Sequence, residues 1–312
     1  MTSDPTSLVD RLDRPADAPR PTFIKDSRGY RIFRVVNVVI LLGVVVVTLY
    51  PFVNIVAQSF SSELYIRTGQ VNLWPRGFNI DTYELVVSDS TFWNSYLNTV
   101  VYTVTATLIS IVLTTIYAYV LSKHHLKGRK LLVGIAVFTM FFNGGLIPNY
   151  VLVSGLGMTN TIWAVVLPNA ISVFNLLVMK AFFESLPTEL EEAAAIDGLN
   201  TYGILLRIVL PLSKAVLATM LLFYAVANWN SWFAAFLYLD KADLFPVTVY
   251  LRNMIAGASS ATAVGAVEAN AVAISANIKA VTMVLTVLPI VVIYPFIQRF
   301  FVSGVMLGAV KQ

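Results

Sequence analysis

The sequence predicts an all-α polytopic membrane protein with six transmembrane helices. Of its 312 residues, 57% are hydrophobic and only 12% are charged, whereas about a quarter of the residues of a soluble domain are charged. The mean hydropathy is +0.76. Six apolar segments have the length, about 20 residues, that a membrane-spanning helix needs. In chain order these segments are Val35–Val56, Leu97–Leu121, Leu131–Val153, Ile162–Phe182, Val216–Phe236 and Ile278–Val302.

The N-terminal region is predicted to contain a tail followed by the first span. Residues 1–34 form a cytoplasmic tail, and Phe23–Arg34 is expected to be a short amphipathic helix at the membrane surface. The span at 35–56 begins too late and runs too long to be a cleaved signal peptide. The other predicted divisions are an extracytoplasmic loop at 57–96, a five-helix core at 97–303 with a cytoplasmic loop at 183–215 and an extracytoplasmic loop at 240–277, and a cytoplasmic tail at 304–312.

The distribution of positive charge sets the predicted orientation. The chain has 21 Lys and Arg residues and a net charge of +4, and most of these basic residues fall on one side of the predicted spans. Basic side chains favour the cytoplasmic side of a membrane. We therefore expect both termini and the 183–215 loop to be cytoplasmic. The charge is explained by membrane topology, and no nucleic-acid partner is predicted.

Several residue types and motifs are absent from the sequence. Cysteine is absent, which excludes disulfides, thiolate metal sites and a cysteine nucleophile. His124 and His125 are adjacent and do not share a helix face, so no metal site is predicted. No H-E-x-x-H or G-x-S-x-G motif is present, so no catalytic residues are expected. No Asp or Glu lies within the six segments, which argues against an ion-coupled carrier.

The loop at 183–215 is a polar, helix-forming segment in an otherwise apolar chain. Its boundary signals are Pro187 in a first helical turn, Gly198 at a left-handed helix end, Asn200 or Thr201 as the cap of a second helix, and Pro211 at the turn into the fifth span. These signals predict a helix–turn–helix that lies along the cytoplasmic surface.

The same loop resembles the cytoplasmic coupling loop of bacterial ABC importer permeases, through the spacing E-A-A-x3-G-x9-I-x-L-P. In that family the loop transmits ATP hydrolysis on a separate subunit to the membrane pore. The resemblance assigns this role to Glu192, Ala193, Ala194, Asp197, Gly198, Ile208, Leu210 and Pro211. Glu192 offers a carboxylate to a basic residue of the ATPase, whereas Glu189 and Glu191 are interpreted as the solvated face of the helix.

Three more segments resemble permeases of the carbohydrate-uptake branch, and within it the subgroup for oligosaccharides and complex or acidic sugars. They are Phe141–Pro148, Leu206–Lys214 and Asn228–Trp232. The resemblance implies a type I ABC importer permease fold in a bacterial inner or plasma membrane. It also implies a second homologous permease, two ATPase subunits and an extracytoplasmic sugar-binding protein as partners. The sequence has no G-x-x-x-x-G-K-[ST] phosphate loop, so ATP and Mg are expected on the partner ATPase and no cofactor on this chain.

Two groups of residues are candidates for the substrate pathway. They are Asn143, Gly144 and Gly145 in the third apolar segment, and Asn228, Trp229, Asn230 and Trp232 in the fifth. The first group interrupts a span, and broken helices often mark transport sites; the alternative is a packed kink. The second group offers amides for sugar hydroxyls and rings for stacking on a pyranose. Its alternative is structural, because Trp concentrates at membrane interfaces and Asn joins helices.

The extracytoplasmic loop at 240–277 corresponds to a segment that contacts the binding protein in the resembling family. Tyr250, Arg252 and Gly257 are the candidate contacts. The sequence therefore predicts one half of the translocation pathway for a sugar or oligosaccharide. Two alternatives stay open, an ABC permease for a non-sugar solute and an ion-coupled secondary transporter.

Overall fold

The computed structural model describes residues 28–263 and 277–292, with side chains described to 256 and again from 277. Apart from turns and one antiparallel bridge between Ser61 and Phe78, the described residues are helical, which confirms the all-α prediction for them. The helices are α1 (Arg28–Ser59), α2 (Glu63–Arg67), α3 (Asp81–Ser88), α4 (Ser90–Ser122), α5 (Arg129–Phe141), α6 (Leu146–Gly155), α7 (Ile162–Val166), α8 (Val173–Glu184), α9 (Thr188–Ile196), α10 (Thr201–Ile204), α11 (Leu210–Leu212), α12 (Lys214–Trp229), α13 (Phe233–Tyr238), α14 (Val247–Ala263) and α15 (Asn277–Val292).

The chain divides into two units, residues 1–52 and 53–312. In the first unit, α1 runs without a break from Arg28, and its side chains to Phe52 are exposed. The prediction of a separate surface helix at Phe23–Arg34 is wrong for residues 28–34, because nothing after Gly29 interrupts the helix before the first span. The remainder of that predicted helix lies outside the described residues.

In the second unit, α4 is a 33-residue helix against which several other helices pack. The residues that it buries are mostly small or carry hydroxyl groups, so neighbouring helices approach it closely. They include Ser95, Thr99, Thr103, Ala106, Thr107, Ser110, Thr114 and Ala118. The Thr- and Ser-rich side of α4 is therefore a packing surface for the neighbouring helices.

Within residues 28–263 and 277–292, two helices, α1 and α4, are long and apolar enough to cross a membrane, and two bent helix pairs also qualify if each pair is one span. The predicted interruption of the third segment at Asn143, Gly144 and Gly145 is confirmed, because α5 and α6 meet there at an angle of 113°. Gly145 lies at this break with φ +88° and ψ 176°, a conformation that is essentially restricted to glycine. The chain therefore turns sharply at the predicted break.

The fourth and fifth predicted spans are also interrupted. Ile162–Phe182 divides into α7 and α8, because Pro168 has no backbone N–H to continue the helix. Val216–Phe236 divides at Asn230, whose side-chain Nδ2 donates to the Val226 carbonyl at 2.8 Å and so competes with helical bonding. In the sixth predicted span the described helix reaches Val292, and residues 293–302 lie outside the described ranges.

One buried apolar cluster positions the loop at 183–215. It brings together residues of α4, α5, α8, α9, α10 and α12, with fully buried Leu121, Leu176 and Met179 at its centre. Ala194 of α9 and Ile204 of α10 belong to the same cluster. Both helices of this loop are therefore fixed to the core by burial of one apolar side.

Candidate functional site

Local sequence signals define the beginning of α9, the first helix of the predicted coupling loop. Pro187 is the N-cap residue and the helix begins at Thr188, whereas Pro187 was predicted to lie inside the first turn. Glu189 and Glu191 occupy the first turn, where the positive end of the helix dipole stabilises carboxylates. The helix-start signals in the sequence therefore had the expected structural effect.

The end of α9 is a Schellman motif centred on Gly198. Gly198 adopts φ +86°, and its N–H donates to the Ala195 carbonyl at 3.0 Å. The N–H of Leu199 donates to the Ala194 carbonyl, also at 3.0 Å. These two bonds satisfy carbonyls that a helix end otherwise leaves without partners. The prediction that Gly198 terminates the helix in a left-handed conformation is confirmed.

A second short helical segment follows this turn. The Asn200 side chain accepts a 2.8 Å hydrogen bond from the Gly203 N–H and caps α10. A π-helical turn, Leu205–Val209, continues into α11, which contains Pro211. The segment from α10 to α11 then meets α12 at an angle of 85° beside Ser213. The predicted helix–turn–helix and the turn into the fifth span are both present.

The predicted coupling residues do not all lie on one surface. Glu192, Ala193, Asp197, Gly198 and Pro211 are exposed, Ile208 and Leu210 are half-buried, and Ala194 is buried. A buried Ala194 corrects its assignment as a contact residue, because its small side chain packs α9 against the core. The other side of α9 is available to a partner.

Two exposed apolar residues of this loop were missed by sequence reasoning. Ile196 is 87% exposed and Tyr202 is 77% exposed. Helical spacing places Ile196 on the same side as Glu192 and Ala193, and this spacing was the signal that would have identified it. The three side chains define what we call the α9 outer face.

Two ion-pair clusters join helix ends that lie next to the loop at 183–215. Glu191 pairs with Lys123 at the end of α4, which corrects its interpretation as a solvated residue. Glu184 of α8 accepts from Lys180 at 2.9 Å and also pairs with Arg129 of α5. The Arg129 Nε atom also donates to the Leu121 carbonyl at 2.7 Å. The ends of α4, α5, α8 and α9 are therefore joined by charged side chains.

A cleft of about 830 Å³ lies beside the break between α5 and α6. Asn143, Gly144 and Gly145 line it, as expected for residues of a substrate pathway. The other polar side chains around it were not predicted. Thr139 and Asn149 lie on the two helices of the break, whereas Asn169, Ser231 and Tyr238 come from distant segments. None of the residues that line the cleft carries a formal charge.

Asn143 has a local role within this cleft. Its Oδ1 atom accepts from the Gly145 N–H at 3.0 Å and from the Asn149 Nδ2 atom at 3.2 Å. Asn143 therefore stabilises the turn between α5 and α6. Asn169 forms no hydrogen bond within the described residues and is exposed, so its amide is free to bind a ligand.

The candidate residues of the fifth span are not brought to this cleft. Asn228 donates to Thr107 Oγ1 at 3.3 Å, and Trp229 donates to the Thr286 carbonyl at 3.2 Å. These bonds join α12 to α4 and α15, which supports the packing alternative. Asn230 bonds to its own helix, and Trp232 packs edge-to-face on Phe233 with ring centroids 5.5 Å apart.

The three candidate contacts of the binding protein have different environments. Tyr250 is only 7% exposed, which corrects its assignment as a surface contact. Arg252 is half-buried, with its guanidinium carbon 3.8 Å from the centre of the Phe236 ring. Gly257 lies in α14, beyond the last residue of that helix whose side-chain surroundings are described.

Tyr250 forms a hydrogen bond with Asp89, the N-cap residue of α4. The Tyr250 hydroxyl donates to Asp89 Oδ2 at 2.8 Å, and the Thr91 N–H donates to Oδ1 at 2.8 Å. Burial alone would raise the pKa of Asp89, but these hydrogen bonds together hold that pKa below its ordinary value. Burial, and then the bond to Asp89, raise the pKa of Tyr250. The pair ties α14 to α4 outside the predicted spans.

Known proteins are similar to this chain over most of its length. The family described as binding-protein-dependent transport system inner membrane component matches residues 95–307. Protein LplC of Bacillus subtilis (strain 168) is 41% identical over 286 residues, which cover 92% of this chain and 97% of that protein. The polygalacturonan/rhamnogalacturonan transport system permease protein YtcP of the same strain is 37% identical and covers 90% of this chain and 99% of its own length.

A solved structure is also similar. It is a chain in the crystal structure of a bacterial ABC transporter involved in the import of the acidic polysaccharide alginate. The TM-score is 0.80 at 33% sequence identity, and the match covers 88% of this chain and 99% of that chain. The likeness therefore extends to the whole of the solved chain.

Proposed function

Because this chain belongs to the family of binding-protein-dependent transport system inner membrane components, we propose that it is a permease subunit of an ATP-driven importer for a saccharide. The predicted resemblance to ABC importer permeases is confirmed. The names of two similar proteins concern acidic polysaccharides, and this supports a saccharide as the transported solute. A second permease subunit would supply the other half of the pathway.

The observation that carries the coupling role is the α9 outer face. It presents an apolar side chain, Ile196, and the Glu192 carboxylate at a position outside the predicted spans. Ile196 would supply apolar contact and Glu192 a carboxylate to a partner that covers this part of the resembling coupling loop. The partner would be a separate ATPase subunit that binds ATP and Mg, with a basic residue opposite Glu192. Closure of two such subunits would move α9 and open the pathway to the other side.

The uncharged cleft supports a saccharide better than an ion as the substrate. Its amides and hydroxyls can pair with sugar hydroxyls, and the rings of Phe142, Phe233 and Tyr238 offer apolar surfaces for a pyranose. Its volume lies within the range of small-molecule sites. Loading from an extracytoplasmic saccharide-binding protein would place the substrate at this cleft in the outward-open state.

The orientation in this proposal follows the charge distribution, with both termini and the loop at 183–215 in the cytoplasm. The extracytoplasmic end then contains α14 and the Tyr250–Asp89 pair. This assignment puts the α9 outer face on the side where ATP is available.

Purification of the tagged chain from its native membrane tests the proposed function. A second permease, a subunit with a phosphate-binding loop and a saccharide-binding protein are expected to co-purify. Ile196→Asp should release the ATPase subunit, because it places a second carboxylate beside Glu192 and removes the apolar contact. Glu189→Gln is the matched control on the same helix and should retain it. Equal retention by both variants would exclude the α9 outer face as the docking surface.

A further inference from the structure

The inner side of α9 is attached to α4 by a cluster of three side chains. Lys123 Nζ pairs with Glu191 Oε2, and the Tyr119 hydroxyl donates to the same oxygen at 3.3 Å. Lys123 Nζ also lies 4.0 Å from the centre of the Tyr119 ring, a cation–π geometry. We call these three residues the α4–α9 joint.

The joint is shielded from solvent. The side chains of Lys123 and Glu191 are 20% and 21% exposed, and Tyr119 is buried. Charges in such surroundings interact more strongly than charges at an open surface, and removal of one member leaves the other unpaired. Between Arg28 and Ala256 and from Asn277 to Val292, no other side-chain hydrogen bond or ion pair links α9 to a different helix.

The opposite end of α4 holds the segment that leads into α14. Asn98 Nδ2 donates to the Asp243 carbonyl at 2.7 Å, and the Tyr102 hydroxyl donates to the Leu244 carbonyl at 2.9 Å. Thr99 Oγ1 accepts from the Val247 N–H at 2.8 Å. With a rise of 1.5 Å per residue, α4 extends about 50 Å without a break. One rigid helix therefore contacts the coupling loop at one end and the segment before α14 at the other.

We propose that the α4–α9 joint positions the coupling helix on α4 and passes its displacement to the far end of α4. Lys123, Glu191 and Tyr119 are positioning residues in this proposal, since they face the core and not the α9 outer face. The proposal rests on the proposed function for the identity of what moves α9. In the absence of ATP, the position of α9 relative to α4 does not depend on which partner moves α9.

A distance measurement in the full-length chain tests the joint. The chain has no cysteine, so Thr188→Cys on α9 and Lys127→Cys after α4 can carry two spin labels without other changes. The purified importer in nanodiscs should give a narrow distribution of label distances. Glu191→Gln should broaden it, and Glu189→Gln, an exposed carboxylate on the same helix, should not. The double variant Lys123→Glu with Glu191→Lys should restore the narrow distribution, because it re-forms the pair with reversed charges.

The same samples separate this proposal from the proposed function. Addition of ATP and Mg should shift the distance in the native complex, and Glu191→Gln should lose the shift while the complex still hydrolyses ATP. An unchanged distance distribution in Glu191→Gln, or no recovery in the charge-reversed variant, would overturn the joint. A narrow native distribution that ATP does not shift would instead contradict the ATP-driven function and leave the resting contact intact.

Discussion

Two of the six described glycines with a positive φ lie in the coupling loop and at the cleft. Gly198 has φ +86° where α9 ends, and Gly145 has φ +88° between α5 and α6. A Cβ atom added at either position would meet no atom within 4 Å. The cost of substitution is therefore backbone strain without a steric clash. Each glycine can be replaced to test a conformation while every side-chain contact is kept.

Gly198→Ala should loosen the end of α9 and reduce uptake by the assembled importer. The strain is about 1 kcal/mol, because an alanine in the left-handed region brings Cβ close to a backbone carbonyl. Gly198→Asn should retain more uptake, since asparagine tolerates this region. Hydrogen exchange of the α9 amides and uptake into vesicles measure the two effects. Gly134→Ala in α5 is the control, with open space around its Cβ. Equal uptake by the Ala and Asn variants would contradict the role of the left-handed turn.

Tyr250→Phe should weaken the attachment of α14 to α4. The variant removes the hydroxyl that donates to Asp89 Oδ2, and a hydrogen bond to a charged group contributes about 1–3 kcal/mol. Since these bonds lower the pKa of Asp89, their stabilisation is present above the ordinary carboxyl pKa of about 4 and is lost as the pH falls through the folded-state value. The unfolding temperature of the variant should therefore fall at pH 7 and approach that of the native chain in acid.

The control for this variant is Tyr65→Phe, whose hydroxyl has no hydrogen-bond partner among the described residues. It should unfold at the same temperature as the native chain at both pH values. A Tyr250→Phe deficit that stays constant from pH 7 down to acid would show that Asp89 ionisation does not contribute to this attachment.

The break between α5 and α6 shapes one side of the cleft. Gly145→Ala places a side chain in a region of backbone space that costs about 1–3 kcal/mol, so the 113° bend should be displaced and uptake should fall. Gly144→Ala is the matched control one residue away, because its Cβ would lie 3.7 Å from Pro148 Cβ, an ordinary contact. Initial uptake rates across substrate concentrations would distinguish the two variants. Equal loss in both would show that space, and not conformation, is limiting at the break.

At the scale of elements, the sequence correctly predicted helix starts, ends and caps, which depend on local signals. Pro187, Gly198 and Asn200 defined the two helices of the coupling loop because a helix start, a left-handed end and a cap depend on neighbouring residues. Hydropathy located α1 and α4 but did not reveal the division between α7 and α8. Apolar composition continues through Pro168 even though helical hydrogen bonding does not. Length and hydropathy therefore overestimated the continuity of the fourth and fifth spans, whereas Asn143, Gly144 and Gly145 predicted the interruption of the third.

Contacts between distant segments could not be predicted from the sequence. Glu191 resembled a solvated carboxylate because its partner, Lys123, is 68 residues away in the chain. The positions of Asn169 and Tyr238 in the cleft could not be predicted either, because both residues are far from the α5–α6 break in the sequence. Asn228 and Trp229 had both a substrate and a packing interpretation, and only their bonds to Thr107 and Thr286 favour packing. The family resemblance identified the loop, whereas tertiary structure assigned its two faces.

At the scale of the whole second unit, α4 links the regions that import would require to move together. It contacts α8 and α12 along its middle, the coupling helix at one end and the segment before α14 at the other. Its small buried residues allow close packing, and its length carries the contacts across the core. A change at either end of such a helix would reach the other end as a rigid-body displacement.

One buried hydroxyl group, that of Tyr224 in α12, joins three elements of this unit. It lies 2.6 Å from Thr114 Oγ1 of α4 and accepts a 3.0 Å hydrogen bond from the Ser172 N–H before α8. Tyr224→Phe should destabilise the core by about 1 kcal/mol, because it leaves a buried N–H and a hydroxyl without this partner. Thermal unfolding of the purified protein in detergent measures the loss. Tyr117→Phe is the control, since its hydroxyl makes only a long, exposed bond of 3.5 Å to the Leu132 carbonyl. If both variants unfold at the same temperature, the three elements are held together by apolar packing and not by this hydroxyl.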